Sequence, residues 1–145
     1  MEWQKGPYTI STDFSRFDLA RVHHYLAHEA YWSPGIPFEV VARAFQNSLA
    51  FGMYQGQEQV GWARVITDRA TFAYLADVYV LEAYRGAGLS KWLMDVILAH
   101  PELQGLRRWM LATRDAHSLY ARYGFLPLAD PERFMERHFP DVYKK

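Results

Sequence analysis

The chain has no cysteine among its 145 residues. That excludes disulfides, thiolate metal sites and a cysteine nucleophile. It also lacks an excess of charge of either sign, because sixteen Lys and Arg offset sixteen Asp and Glu. A broad basic field for nucleic acid is therefore excluded, and any anion site has to be local. No run of eighteen apolar residues occurs, and the N-terminal MEWQKGPYTI has no apolar core of a secretion signal. The expectation is a cytoplasmic protein with no membrane and no nucleic-acid partner. Repeats, linkers and low-complexity tracts are missing too. What the chain has is hydrophobic mass: 50% of its residues are hydrophobic and 17% aromatic. That supports a globular core without metal or disulfides, and one domain over residues 1–145 is expected.

The patterning predicts an alternation of strands and helices. Tyr8–Ser11 reads as a short first strand. Ser15 and Asp18 resemble a capping box ahead of Leu19, Val22 and Leu26, which recur at helical spacing to about His28. The two-proline segment Tyr31–Pro37 is a loop, and Pro37 suits the first turn of a second helix with Val40, Val41, Ala44 and Phe45 on one face. Leu49–Tyr54 and Gln59–Thr67 read as a hairpin, and Thr71–Leu81 as a buried central strand. A helix follows over Gly88–Ala99, with Leu89, Trp92, Leu93, Val96 and Ile97 as its apolar stripe. Leu106–Thr113 is another strand, and Ala116–Tyr123 a short helix capped by Asp115 and ended by Gly124. Phe125–Leu128 begins a late strand. The fold class is α/β with a mixed sheet, in which Thr71–Leu81 and Leu106–Thr113 are parallel and joined by a right-handed crossover.

The most informative stretch is Val78–Leu98. An apolar run ends in the basic glycine turn Arg85-Gly86-Ala87-Gly88, and a helix starts at once. A strand that aims a turn, glycines that expose N–H groups and a helix N-terminus together make a backbone anion cradle. The P-loop pattern is absent, and the dinucleotide fingerprint fails because Lys91 stands three residues after Gly88. Arg85-x-x-Gly88-x-Ser90 remains, with an ordinary strand-to-helix turn as the alternative.

Val80–Met94 resembles the acyl-CoA pyrophosphate motif of the GCN5-related N-acetyltransferases (GNAT), and Leu119-Tyr120-Ala121-Arg122-Tyr123-Gly124-Phe125 resembles that family's second hallmark. The element order is similar as well. The resemblance implies a sheet splayed around Val78–Val80, with helices on both faces and a pantetheine arm in the opening. It implies that Val78 and Val80 bind the pantetheine and that Arg85, Gly86, Ala87, Gly88, Leu89 and Ser90 hold the pyrophosphate of acetyl-CoA. Ser90 stands where Gly or Ala is usual, and Glu82 where Pro is common. The family is compatible with a homodimer, in which the C-terminal segment could be exchanged.

Without cysteine, direct attack of an amine on the thioester is the simplest route. The resemblance assigns Tyr120 as the acid that protonates the departing thiolate; a phenol near pKa ~10 can donate to a thiolate whose acid is near ~8.5. Tyr120 as an ordinary packed aromatic is the alternative, and Tyr123 is a competing phenol better suited to the core. The Val80 N–H is the oxyanion donor. For the base, Asp77 is the only acid in the apolar run Phe72–Leu81. It is read either as base or substrate anchor, or as a satisfied core carboxylate that pins a neighbouring loop or pairs with Arg64 on the strand before. Strict alternation places Asp77 on the face opposite Tyr74, Ala76, Val78 and Val80, unless a β-bulge intervenes. Tyr74, acting through water, is a further alternative. His117 could orient Tyr120, while His24 and His28 lack a third ligand for metal. The aromatic loop 31–38 either holds the amine by cation–π contact or only closes the core.

The expected function is acetyl-CoA-dependent acetyl transfer to a primary amine of a small molecule or peptide, with no metal. An acyl-CoA-binding module without turnover is the runner-up, and a nucleotide-binding domain is a third, weaker reading.

Overall fold

A computed structural model describes residues 1–144. Its strands are β1 (Glu2–Lys5), β2 (Tyr8–Ser11), β3 (Leu49–Gln55), β4 (Glu58–Thr67), β5 (Phe72–Val80) and β6 (Arg108–Met110). Its helices are α1 (Leu19–His28), α2 (Phe38–Gln46), α3 (Leu89–Ala99) and α4 (His117–Ala121). The strands form one sheet in the order β1-β2-β3-β4-β5-β6. The first five pair antiparallel in sequence, and only β5 and β6 are parallel. The α3 crossover makes that pairing possible, since parallel neighbours need a long connection.

Each face of the sheet has its own core. On one face α3 sets Leu89, Leu93 and Ile97 against Val60, Ala63, Val65, Ala73, Leu75 and Val80. On the other, α1 and α2 set Val22, Leu26, Val41 and Phe45 against Ala50 and Trp62. The apolar stripe of α3 follows helical periodicity, so its burial was readable from spacing alone. At the start of α1 it is Asp18 that accepts the Arg21 N–H; Ser15 instead donates to Asp13 in a 3₁₀ turn. The expected capping box is thus replaced by a single Asp cap.

Three further expectations change. A strand absent from the sequence reading, β1, pairs with β2 through the turn at Gly6. The late strand expected at Phe125–Leu128 does not form; residues 125–144 run in turns and loops with one 3₁₀ turn at Pro131–Arg133, and Met135 is 98% exposed. Phe125 packs against Trp109 and Tyr120, and further along the tail meets the body again. The Arg108 guanidinium lies 4.8 Å from the Phe134 ring centre, and Tyr143 comes against Gly35. Finally, α4 is shorter than expected, and Thr113 Oγ1, not Asp115, accepts the Ala116 N–H at its start.

Candidate active site

Strands β5 and β6 pair over three residues only, Phe72–Arg108, Ala73–Trp109 and Tyr74–Met110. Beyond Tyr74 they part, and a cavity of about 1100 Å³ opens between them. Its walls come from Tyr74–Val80 on β5, the Leu111–Ala116 segment after β6, Tyr120 on α4, and Tyr25, Tyr31 and Trp32 from α1 and the loop after it.

The β5 edge facing this opening is backbone without a strand partner from Leu75 onward. Its polarity can be worked out near the end. The Leu81 N–H donates to Val60 O on β4 at 2.9 Å, whereas the Val80 carbonyl accepts from Arg85 Nε at 3.0 Å. The N–H and C=O of one strand residue lie on the same side, and successive residues alternate. The N–H groups of Val80 and Val78 therefore point away from β4, toward the opening.

A β-bulge shapes the same strand. The register steps from Arg64–Ala76 to Trp62–Tyr79, so Asp77 and Val78 together stand opposite Ala63. Asp77 takes up the extra residue with φ of 55°, the left-handed region that Asp tolerates better than most residues. Strict alternation fails here. The side chain of Asp77 joins the α1–α2 face, the same face as Tyr74 and Ala76, while Val78 and Val80 stay with the α3 core. Its carboxylate is committed on both oxygens. Oδ2 pairs with Arg64 Nε at 2.5 Å and Oδ1 accepts from Trp32 Nε1 at 2.8 Å. The Arg64 partner considered from the sequence is present; the Trp32 partner had no local signal.

The glycine turn sits at the other end of β5. Gly86 and Gly88 have φ of 89° and 74°, which explains glycine at both. A Cβ at either would meet nothing within 4 Å, so backbone conformation and not crowding inside the chain selects them. Gly88 caps α3 without a side-chain acceptor, and the first helical bond runs from the Trp92 N–H to Gly88 O. The N–H groups of Leu89, Ser90 and Lys91 are left without helical partners, at the positive end of an eleven-residue helix. Ser90 lines the cavity. Arg85 lines it as well, with its Nε on the Val80 carbonyl and its guanidinium 5.0 Å from the Tyr79 ring centre.

Tyr120 reaches the cavity from α4, packed edge-on against Phe125. Burial, and secondarily the neighbouring Tyr31 phenol, push its pKa above the usual tyrosine value. A raised pKa keeps the hydroxyl protonated, the form a proton donor needs. Tyr123 is placed differently, since its hydroxyl donates to Lys91 O at 3.2 Å. Tyr25 stacks on Tyr79 at 3.7 Å, and burial, then the Tyr79 phenol, push its pKa to about 12.

Glu29 and Arg114 also line the cavity, and neither was singled out from the sequence. Glu29 follows the last residue of α1, and only the meeting of α1 with β5 gives it a place. Arg114 lies 3.8 Å over the Tyr31 ring and its N–H donates to Tyr31 OH. One face of the Tyr31 ring is thus already taken by a residue of the chain itself. His117 is exposed and does not line the cavity; His24 and His28 lie 4.9 Å apart on α1. Among the described residues no group of three His, Cys, Asp or Glu could hold a metal, and no helix is long and apolar enough to cross a membrane.

Comparison with known proteins identifies the family. The acetyltransferase (GNAT) family model matches residues 10–125. A Gibberella zeae protein described as an acetyltransferase is 32% identical over 142 residues, covering 83% of this chain and 79% of that protein. A crystal structure from Xanthomonas campestris, assigned to the GNAT family, is 51% identical with a TM-score of 0.93, covering 95% of this chain and 97% of its own. A Clostridium acetobutylicum structure described with acetyl-CoA is 17% identical with a TM-score of 0.66, covering 90% and 94% of the two chains, which shows the shared fold. The chain belongs to the GNAT family of acetyltransferases and is an N-acetyltransferase.

Proposed function

We propose that the protein moves the acetyl group of acetyl-CoA to a primary amine by direct attack within the β5–β6 opening. One observation carries this reading. A single cavity brings together an unpaired β5 edge, a helix N-terminus behind a glycine turn, and a protonated Tyr120. The residues fit acetyl-CoA. Val78 and Val80 would bond the pantetheine through backbone groups, and the turn Arg85–Ser90 would hold the pyrophosphate through N–H groups at α3. The co-substrate supplies an activated thioester carbonyl. The Val80 N–H would stabilise the oxyanion, and Tyr120 would give its proton to the departing thiolate.

The amine must lose a proton, at a cost on the order of 4–5 kcal/mol for an alkylammonium at neutral pH. Asp77 is badly placed for this task, since both its oxygens are engaged. We assign it to Glu29, the exposed carboxylate at the α1 end of the cavity, acting through solvent. The engagement of Asp77 is also what favours the competing reading, cofactor binding without turnover.

The deciding experiment is thiol release from acetyl-CoA against a panel of primary amines, for wild type and Tyr120→Phe. Amine-dependent release that collapses in Tyr120→Phe supports transfer. Tight CoA binding with no amine-dependent release selects the binding module.

A further inference from the structure

Adjacent residues of the loop between α1 and α2 are tied to opposite margins of the cavity. On the β5 margin the Trp32 indole N–H donates to Asp77 Oδ1 at 2.8 Å. That carboxylate is itself held by Arg64, whose Nη1 reaches Ser48 Oγ at 3.2 Å; Ser48 in turn donates to Ala44 O on α2 at 2.7 Å. On the β6 margin Tyr31 OH accepts the Arg114 N–H at 3.2 Å, with the Arg114 guanidinium stacked on the ring. Tyr31 and Trp32 thus span the gap where β5 and β6 part. The loop behind them is fixed as well. Ser33 Oγ donates to Leu26 O at 2.7 Å, the Gly35 N–H to Ala27 O at 3.0 Å, and His23 Nε2 lies 2.9 Å from Ile36 O.

We infer that this loop is a roof that restricts the acceptor to a free small-molecule amine, and that Asp77 is the positioning residue that pins it. The inference rests on the proposed transfer at this cavity. A lysine on a folded protein brings its backbone and neighbouring side chains with it, and a roof pinned on both margins leaves no room for them. A free amine needs an opening only of its own width. The cavity, about 1100 Å³, is at the upper end of ligand-pocket sizes, room for a cofactor arm and a small second substrate, and Tyr31 and Trp32 line it on the loop side. The bulge gives Asp77 its direction: without the extra residue its carboxylate would face the α3 core, and the β5 pin would not exist.

Two measurements test this. Hydrogen exchange of residues 31–36 is followed in the unliganded protein, for wild type, Trp32→Phe and Asp77→Asn. Phe keeps the ring and loses the N–H; Asn keeps the tolerance for positive φ and loses the charge. Both variants are expected to speed exchange at least tenfold, and unchanged exchange in both overturns the roof. In parallel, acetyl transfer is compared between a panel of free primary amines and the surface lysines of folded serum albumin at equal amine concentration. The wild type is expected to favour the free amines at least a hundredfold. Trp32→Phe is expected to raise the acceptor KM several-fold with the acetyl-CoA KM unmoved. Albumin lysines acetylated as fast as free amines, or turnover of neither, overturns the selection. Failure to bind acetyl-CoA overturns the proposed function alone, because roof protection is read without it.

Discussion

The two walls of the cavity are built from different parts of the chain. The α3 wall is backbone: the open edge of β5, the turn at Gly86 and Gly88, and the unpaired N–H groups at the start of α3. The α1–α2 wall is side chains: stacked tyrosines, an indole, and an Arg64–Asp77 ion pair locked by bonds between distant segments. A backbone wall can recognise any molecule that offers the right row of acceptors and donors. A side-chain wall is specific to its own residues, and each substitution there changes its shape. One sequence can therefore keep a fixed cofactor and still change its acceptor.

The largest effect should fall where the two walls meet. Tyr120→Phe is expected to lower kcat by about a hundredfold or more while acetyl-CoA affinity holds, as measured by thiol release beside calorimetric binding. Because burial raises the Tyr120 pKa, the loss of wild-type activity at high pH should come above the ordinary tyrosine range of about 10. Next comes the side-chain wall. Asp77→Ala leaves Arg64, whose side chain is 18% exposed, without its carboxylate and puts Ala at φ 55°. Urea denaturation should show a loss of about 2 kcal/mol, below the figure for a fully buried pair. The backbone wall should answer more gently. Gly88→Val forces a branched residue to φ 74°, and strain of roughly 1–3 kcal/mol there is expected to weaken CoA binding about tenfold. Calorimetric titration with CoA checks this, and unchanged affinity would remove the turn from the cofactor site.

The same contrast explains what could be read in advance. The α3 wall is local in sequence. Glycines needing positive φ, a helix start and an apolar stripe lie within one short stretch, so Arg85–Ala99 was legible residue by residue. The α1–α2 wall is assembled from residues far apart in the chain. Trp32 and Asp77 are 45 positions apart, and nothing near either one announces the bond. The face that Asp77 occupies depends on one extra residue in β5, which alternation by itself cannot register. Strand β1 was missed because Glu2–Lys5 is mostly polar and exposed, and becomes a strand by pairing with β2. Phe125–Leu128 has strand-like composition, yet it finds no partner, and composition alone does not make a strand.

The smallest expected effect lies at the far end of α3, away from both walls. His100 is 2% exposed, and burial holds its pKa below the usual histidine value, while Nδ1 accepts the Glu102 N–H. The folded state thus resists a proton that the unfolded chain takes up near pH ~6.5. This contribution is complete above that pH and is lost as pH falls through it toward the lower folded-state pKa. Urea midpoints should drop by the equivalent of under about 1 kcal/mol between pH ~7.5 and ~5.5, and His100→Asn should flatten that decline. A decline of equal slope in the variant would assign it to other groups.

The early parting of β5 from β6 has one more consequence. A row of unsatisfied strand groups is, on most proteins, an invitation to another chain and a route to aggregation. Here the row from Leu75 to Val80 lines the cavity together with Tyr31, Trp32 and Tyr120 of α4, and the Val80 carbonyl at its end is already taken by Arg85. The fold keeps a sticky edge in permanent readiness and lines it with side chains from α1, the loop after it and α4.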